Sequence, residues 1–317
     1  MKTALVFPGQ GSQAVGMGKA LADAFPASRE VFAEVNTALG ESLSKLIFEG
    51  PEAELTLTAN AQPALMATSM AALRALESEA GLDVSSVAFV AGHSLGEYSA
   101  LCAAGALTLA DTARLLRLRG QAMQQAVPAG EGAMAAILGL DFEKVSLIAH
   151  EAARDLYLTG AICEAANDNG GGQVVISGTK AAVERAMELA KLAGAKRALP
   201  LAVSAPFHCA LMAPAADTMA EALESTPPGP PVVPLIANVS AAKVTDPAQI
   251  RELLVRQVTA TVRWRECVQA MTSLGVDSFL EVGAGKVLSG LIRRIAPTAA
   301  AAAAGTPAEI EAMLKTL

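Results

Sequence analysis

The 317-residue sequence predicts an α/β fold: a mainly parallel sheet covered by helices, interrupted by one small inserted domain. Three observations predict it. Short apolar runs alternate with longer helical stretches up to about Val127, the rhythm of parallel strands joined by crossover helices. Hydrophobic residues make up 52% of the chain, against 17% charged and 3% aromatic, which suits a large core of closely packed, Ala-rich helices. The rhythm then breaks at Pro128-Ala129-Gly130-Glu131-Gly132 and follows a different order until about Leu201.

The elements follow in order. Met1 to Pro8 reads as a first strand, with an apolar stretch too short for a signal-peptide core. Ala88 to Ala91 is a second strand, bounded by Gly92 and followed by helix formers. Leu109 to Val127 is a strong helix candidate. In the middle segment, Ala133–Leu138 reads as a strand, Phe142–Ala153 as a helix, and Ile162–Ala166 and Gln173–Ser177 as strands. Thr179–Ala193 reads as a helix with Thr179 as its N-cap, and Lys196–Leu201 as a closing strand. The order β-α-β-β-α-β is the ferredoxin-like arrangement, so residues 129–201 are expected to form an insert in a large domain made of 1–128 and 202–317.

Beyond the insert, Pro227-Pro228-Gly229-Pro230-Pro231 is a stiff connection. Val233–Ala237 and Ser278–Glu281 read as strands, and Pro247–Val258 and Arg265–Leu274 as helices. The Ala run at 299–304 carries no chemical signal. Thr306-Pro307-Ala308-Glu309 predicts a short capped helix at the end.

Composition excludes several functions. A formal charge of -7 argues against nucleic-acid binding through bulk charge. No window supplies the roughly 18 apolar residues of a membrane span, despite a mean hydropathy of +0.40. Cys102, Cys163, Cys209 and Cys267 lie far apart without a CxxC pair, as expected of reduced thiols in the cytoplasm. Cys209 beside His208 is too isolated to make a metal site.

The sharpest local feature is Gly92-His93-Ser94-Leu95-Gly96, a G-x-S-x-G turn between a strand and a helix, which lifts a serine hydroxyl above the sheet edge. A serine needs a base, and the chain offers His93, His150 and His208. The tight turn should aim His93 away, and His150 lies within an insert helix. His208 follows the irregular Ser204-Ala205-Pro206-Phe207 at the return from the insert and is the favoured base. Asp111, Asp141, Asp155 and Asp168 are candidates for a third member, and a backbone carbonyl steadying a Ser94-His208 dyad is at least as plausible.

Arg119 has Leu115, Leu116, Ala122 and Met123 three and four positions away, which puts a guanidinium on the packed side of its helix, where it can hold a carboxylate bidentately. Arg114 and Arg117 read as solvated-face residues. Met123 suits either the core or the same pocket. Gly9 to Ala14 nominally fits a dinucleotide fingerprint, but Pro8 and Met17-Gly18 break the pattern. The Gln10 N–H can instead complete an oxyanion hole with that of Leu95. Gly283-Ala284-Gly285-Lys286 lacks phosphate-loop spacing and reads as a strand-to-helix turn.

Taken together, Phe7–Gln13, Thr58–Ala64, Gly92–Glu97, Arg117–Gly120, Gln173–Gly178, Ser204–His208 and Glu281–Leu288 resemble the malonyl-CoA:acyl carrier protein transacylases of type II fatty acid synthesis over essentially the whole chain. The resemblance implies a hydrolase-like large domain with the insert as the opposite wall of the cleft. It implies that Ser94 carries malonyl as an oxyester, that His208 activates it, and that Gln10 and Leu95 donate the oxyanion N–H groups. Arg119 would clamp the malonyl carboxylate with Met123 alongside. The Gln257 carbonyl would orient His208, and Asn167 would sit near the pocket in a turn joining two insert strands. No metal or bound cofactor is expected. The partners implied are malonyl-CoA and, transiently, the acidic acyl carrier protein with its phosphopantetheine thiol, without nucleic acid or membrane, and the protein is expected to act as a cytoplasmic monomer. Carrier docking would need a local basic patch, with Lys191, Lys196 and Arg197 or Lys286, Arg293 and Arg294 as candidates. Asp155 to Cys163 is longer than the usual connection, which leaves the register of the insert's second strand open. A serine esterase, an oxidoreductase and a noncatalytic docking protein are the rival readings.

Overall fold

The computed structural model describes residues 2–314. The chain opens with β1 (Thr3–Phe7) and then five helices, α1 (Lys19–Ala24), α2 (Pro26–Leu39), α3 (Leu43–Glu49), α4 (Glu52–Thr56) and α5 (Thr58–Ala80). Next come β2 (Phe89–Gly92), α6 (Gly96–Ala103) and α7 (Leu109–Gln125). The middle segment is β3 (Gly132–Leu138), α8 (Phe142–Asp155), β4 (Cys163–Asp168), β5 (Gln173–Thr179), α9 (Lys180–Leu192) and β6 (Arg197–Pro200). The return comprises α10 (Ala213–Ser225), β7 (Leu235–Ile236), β8 (Lys243–Val244), α11 (Pro247–Gln257), α12 (Trp264–Ser273), β9 (Ser278–Val282), α13 (Val287–Ile295), β10 (Ala300–Ala304) and α14 (Pro307–Leu314).

The large sheet has the order β10-β9-β1-β2-β7-β8 and is parallel except for the antiparallel β7–β8 pair. Its central strands β1 and β2 are apolar on both faces because both are covered by helices. Along β1, Leu5 and Phe7 enter one core while Ala4 and Val6 enter the other. Along β2, Val90 and the pair Phe89 and Ala91 divide in the same way. The second sheet, β4-β5-β3-β6, is antiparallel throughout. That order, with α8 and α9 on one face, is the expected ferredoxin-like arrangement. Ala135 and Ile137 of β3 pack into the insert's own core, while Met134 and Ala136 face the core of the large sheet.

Several details differ from the sequence reading. The Ala run is a strand, β10, because its backbone pairs with β9 over five positions from Ala300↔Ser278 to Ala304↔Val282. Thr179 precedes α9 as expected, but its hydroxyl makes no cap hydrogen bond and is engaged with the backbone of Ile162 instead. The long 155–163 connection takes up its extra residues in a 3-10 turn, Tyr157–Thr159, and the β4–β5 register shifts between Ala165 and Asn167. Asn167 therefore lies within β4, not in a turn. Arg117 is not a solvated-face residue: it donates to the Ala59 carbonyl at 2.6 Å and to Asn60, and pairs with Glu41. Sequence patterning singles out neither helix α10 nor the short strand β8.

Candidate active site

The turn after β2 is tight enough that only glycine fits on either side of the serine. A Cβ on Gly92 would lie 1.9 Å from the Gly96 carbonyl, and one on Gly96 would lie 2.2 Å from the Phe7 carbonyl oxygen. Ser94 itself has φ 53°, a left-handed conformation that costs a non-glycine residue energy and is held by its surroundings. Asn238, just after β7, supplies part of that hold: its side chain accepts from the Ser94 N–H at 2.9 Å and donates to the Gly92 carbonyl at 2.7 Å.

Ser94 Oγ lies 2.8 Å from His208 Nε2, and His208 Nδ1 lies 2.8 Å from the Gln257 carbonyl oxygen at the end of α11. A carbonyl only accepts, so Nδ1 carries the proton and Nε2 presents its lone pair to the serine. His208 is buried and also has a left-handed backbone, φ 58°. Burial, reinforced by the positive charge of Arg119, pushes its imidazole down to about 3, and the bond to Gln257 acts in the opposite direction. The four aspartates considered as a third member are occupied elsewhere. Asp111 pairs with Arg114, Asp141 caps α8, Asp155 pairs with Arg185 and Asp168 pairs with Arg265.

Arg119 reaches the same point from α7 and is 1% exposed. Its Nη1 donates to Gln62 Oε1 at 2.8 Å, and its Nη2 to Gln257 Oε1 at 2.9 Å and to Ser94 Oγ at 3.2 Å. All three acceptors are neutral. The face of the Tyr98 ring lies 5.7 Å from the guanidinium carbon. The Gln62 amide donates to Met123 Sδ at 3.6 Å, so both residues belong to the wall around Arg119.

A cavity of about 360 Å³ opens over Ser94, between the two sheets. Gln10 and Leu95 line it, and no hydrogen bond among the described residues occupies either backbone N–H. Met134, Ala136 and Asn167 line it from the insert, and Leu288 and Leu291 line it from α13. His93 also lines it, but its Nε2 contacts Asn169 Oδ1 at 2.9 Å rather than the serine. His150 is exposed on α8. Sequence reasoning missed Gln62, Asn238 and the side chain of Gln257. Gln62 stands inside the stretch Thr58–Ala64 that carries the resemblance, whereas Asn238 had no local signal. Among the described residues, no group of three or more His, Cys, Asp or Glu could hold a metal ion, and no helix is long and apolar enough to cross a membrane.

Residues 4–315 match the family model described as an acyl transferase domain. The malonyl CoA-acyl carrier protein transacylase of Bacillus subtilis (strain 168) is 48% identical over 316 residues, covering 100% of this chain and 97% of that protein. The chain belongs to the malonyl-CoA:acyl carrier protein transacylase family. Solved members of the family superpose closely. The acyl-carrier-protein S-malonyltransferase from Bartonella henselae is 57% identical with a TM-score of 0.95, covering 100% of this chain and 99% of that one. A malonyl-transacylase solved in complex with its type II PKS acyl-carrier protein is 47% identical, also with a TM-score of 0.95, covering 100% of both chains. The serine turn, the arginine and the insert thus occur in a transacylase scaffold whose length this chain matches.

Proposed function

We propose that the protein transfers malonyl from malonyl-CoA to the phosphopantetheine thiol of acyl carrier protein, with Ser94 as nucleophile and His208 as general base and acid. In the first half-reaction His208 Nε2 takes the Ser94 proton as Oγ attacks the thioester carbonyl. The oxyanion is met by the N–H groups of Gln10 and Leu95, each contributing on the order of 3 kcal/mol to the transition state. The C–S bond breaks, and the departing CoA sulfur takes the proton from Nε2. The second half-reaction runs in reverse: Nε2 takes the thiol proton of the carrier, the thiolate attacks the malonyl-serine ester, and Oγ recovers the proton.

Arg119 supplies the selectivity in this reading, and it carries the argument. A buried guanidinium 3.2 Å from the serine oxygen, hydrogen-bonded only to neutral acceptors, provides an anionic acyl tail with the counter-charge it needs. Met123 and Asn167 complete the acyl pocket, and the Gln257 carbonyl keeps His208 in its working tautomer. A bound carboxylate also offsets the Arg119 charge that depresses His208, so the base strengthens when the correct substrate arrives.

Intact-protein mass spectrometry tests the scheme. Mixing with malonyl-CoA should add one malonyl mass that carrier protein removes, and Ser94→Ala should show no adduct; an adduct persisting in that variant rejects Ser94. Arg119→Ala should lower malonyl transfer far more than acetyl transfer, and equal losses would exclude the clamp.

The same reading takes residues 129–201 as the inserted domain and the protein as a cytoplasmic monomer. Among the basic side chains considered for carrier docking, Arg294 is favoured: it donates to Gln173 on the cleft wall, whereas Lys286 is paired with Glu309. Arg294→Glu should raise KM for the carrier while leaving malonyl loading from CoA intact.

A further inference from the structure

Beneath the serine turn lies a carboxyl group that the reaction does not use. Glu97, in the first turn of α6, is 1% exposed. Its Oε2 accepts from the Asn238 N–H at 2.9 Å and from Gln257 Nε2 at 3.0 Å. The same Gln257 amide donates to the Ser94 carbonyl at 3.0 Å and to Asn238 Oδ1 at 3.2 Å, while its Oε1 accepts from Arg119. Gln257 therefore touches three parts of the site: its backbone carbonyl orients His208, its Oε1 holds the Arg119 fork, and its amide nitrogen supports the serine turn.

A glutamine amide can be turned end for end at little steric cost, and its neighbours decide which end faces where. An ionised carboxylate only accepts, and a hydrogen bond to it is roughly twice as strong as one between neutral groups. We propose that Glu97 is a positioning residue: it draws the Gln257 amide nitrogen toward the serine turn, so that Oε1 is left facing Arg119 and the guanidinium is aimed at the acyl site. The reversed amide would set two donors against each other at Arg119 and an oxygen against the Glu97 carboxylate. Burial raises the Glu97 carboxyl to about 7, while its bonds to Asn238 and Gln257 and the charge of Arg119 favour the ionised form.

The proposal rests on Arg119 as the carboxylate clamp, and the test separates the two ideas. The readout is the ratio of kcat/KM for malonyl-CoA to that for acetyl-CoA, which does not change when part of a preparation is unfolded. Arg119→Ala should collapse this ratio. Glu97→Gln, with its shape kept but its charge removed, should lower it about tenfold, and Gln257→Leu by a similar factor. The double variant Glu97→Gln/Gln257→Leu should lose no more than the worse single one, because the two residues act as a unit. A normal ratio in Glu97→Gln, with a collapsed one in Arg119→Ala, overturns the positioning role and leaves the clamp standing. An unchanged ratio in Arg119→Ala overturns the clamp and the selectivity assigned to Glu97 together. Should Glu97→Gln fail to fold, Glu97→Asp withdraws the carboxylate from Gln257 by one methylene and must show the same fall; a normal ratio there overturns the proposal.

Discussion

Burial holds His208 neutral down to about 3, well below the ordinary 6.5, and this has a consequence for stability. Between those values the unfolded chain binds a proton that the folded chain refuses, so stability falls as pH drops through the window and is unaffected by this group above it. Glu97 acts with the opposite sign: raised from 4.5 to about 7, it binds a proton in the folded state that the unfolded chain has released, so its contribution declines as pH rises through that range. Urea unfolding followed across pH should show a shallower acid-side loss in His208→Gln than in the parent. In Glu97→Gln the loss of stability toward neutral pH should shrink. At this scale Ser94 and Arg119 were legible because each breaks a local pattern, a hydroxyl between two turn glycines and a charge in an apolar stripe. The partners of Arg117 are not legible locally, because Glu41, in the connection between α2 and α3, and Asn60, in α5, are both distant in sequence.

Among the elements, α13 depends on a carboxylate borrowed from its neighbour. Glu281 at the end of β9 accepts from the N–H groups of Leu288 and Ser289 at 3.0 and 2.7 Å, filling the role of an N-cap from outside the helix. Glu281→Gln should cost about 1–2 kcal/mol, read as a lower urea midpoint. Because Leu288 and Leu291 line the cleft, KM for malonyl-CoA should rise as well. Gly96→Ala drives a methyl into the Phe7 carbonyl and should destabilise on the order of 3 kcal/mol, with the malonyl adduct lost from whatever remains folded. The sequence showed these turns clearly, since glycine spacing is local. It hid β10, whose five alanines have no inside-outside contrast and become a strand only through pairing with β9. It also hid the place of Asn167, which a one-residue shift in β4 determines.

For the molecule as a whole, the segmentation into sheet, insert and sheet was readable from the changing rhythm, but the way the two parts are joined was not. Asp168 and Asn167 of β4 meet the segment before α12: the Asp168 N–H donates to the Val262 carbonyl at 2.9 Å and the Val262 N–H to Ala166 at 2.9 Å. Thr261 Oγ1 adds a bond to Ala165 at 2.7 Å. Beside these, the buried Asp168 pairs with Arg265 at 2.8 Å. Arg265→Ala should cost roughly 2 kcal/mol, less than at a fully enclosed pair because Arg265 reaches solvent, and unfolding should remain a single transition by both fluorescence and circular dichroism. The small sheet is thus stitched by main-chain amides to the framework that carries the serine. A CoA thioester and then the thiol of the carrier must use the cleft between them in turn. What separates the half-reactions is the order of arrival at one shared doorway, so a lingering CoA delays the carrier simply by standing in it.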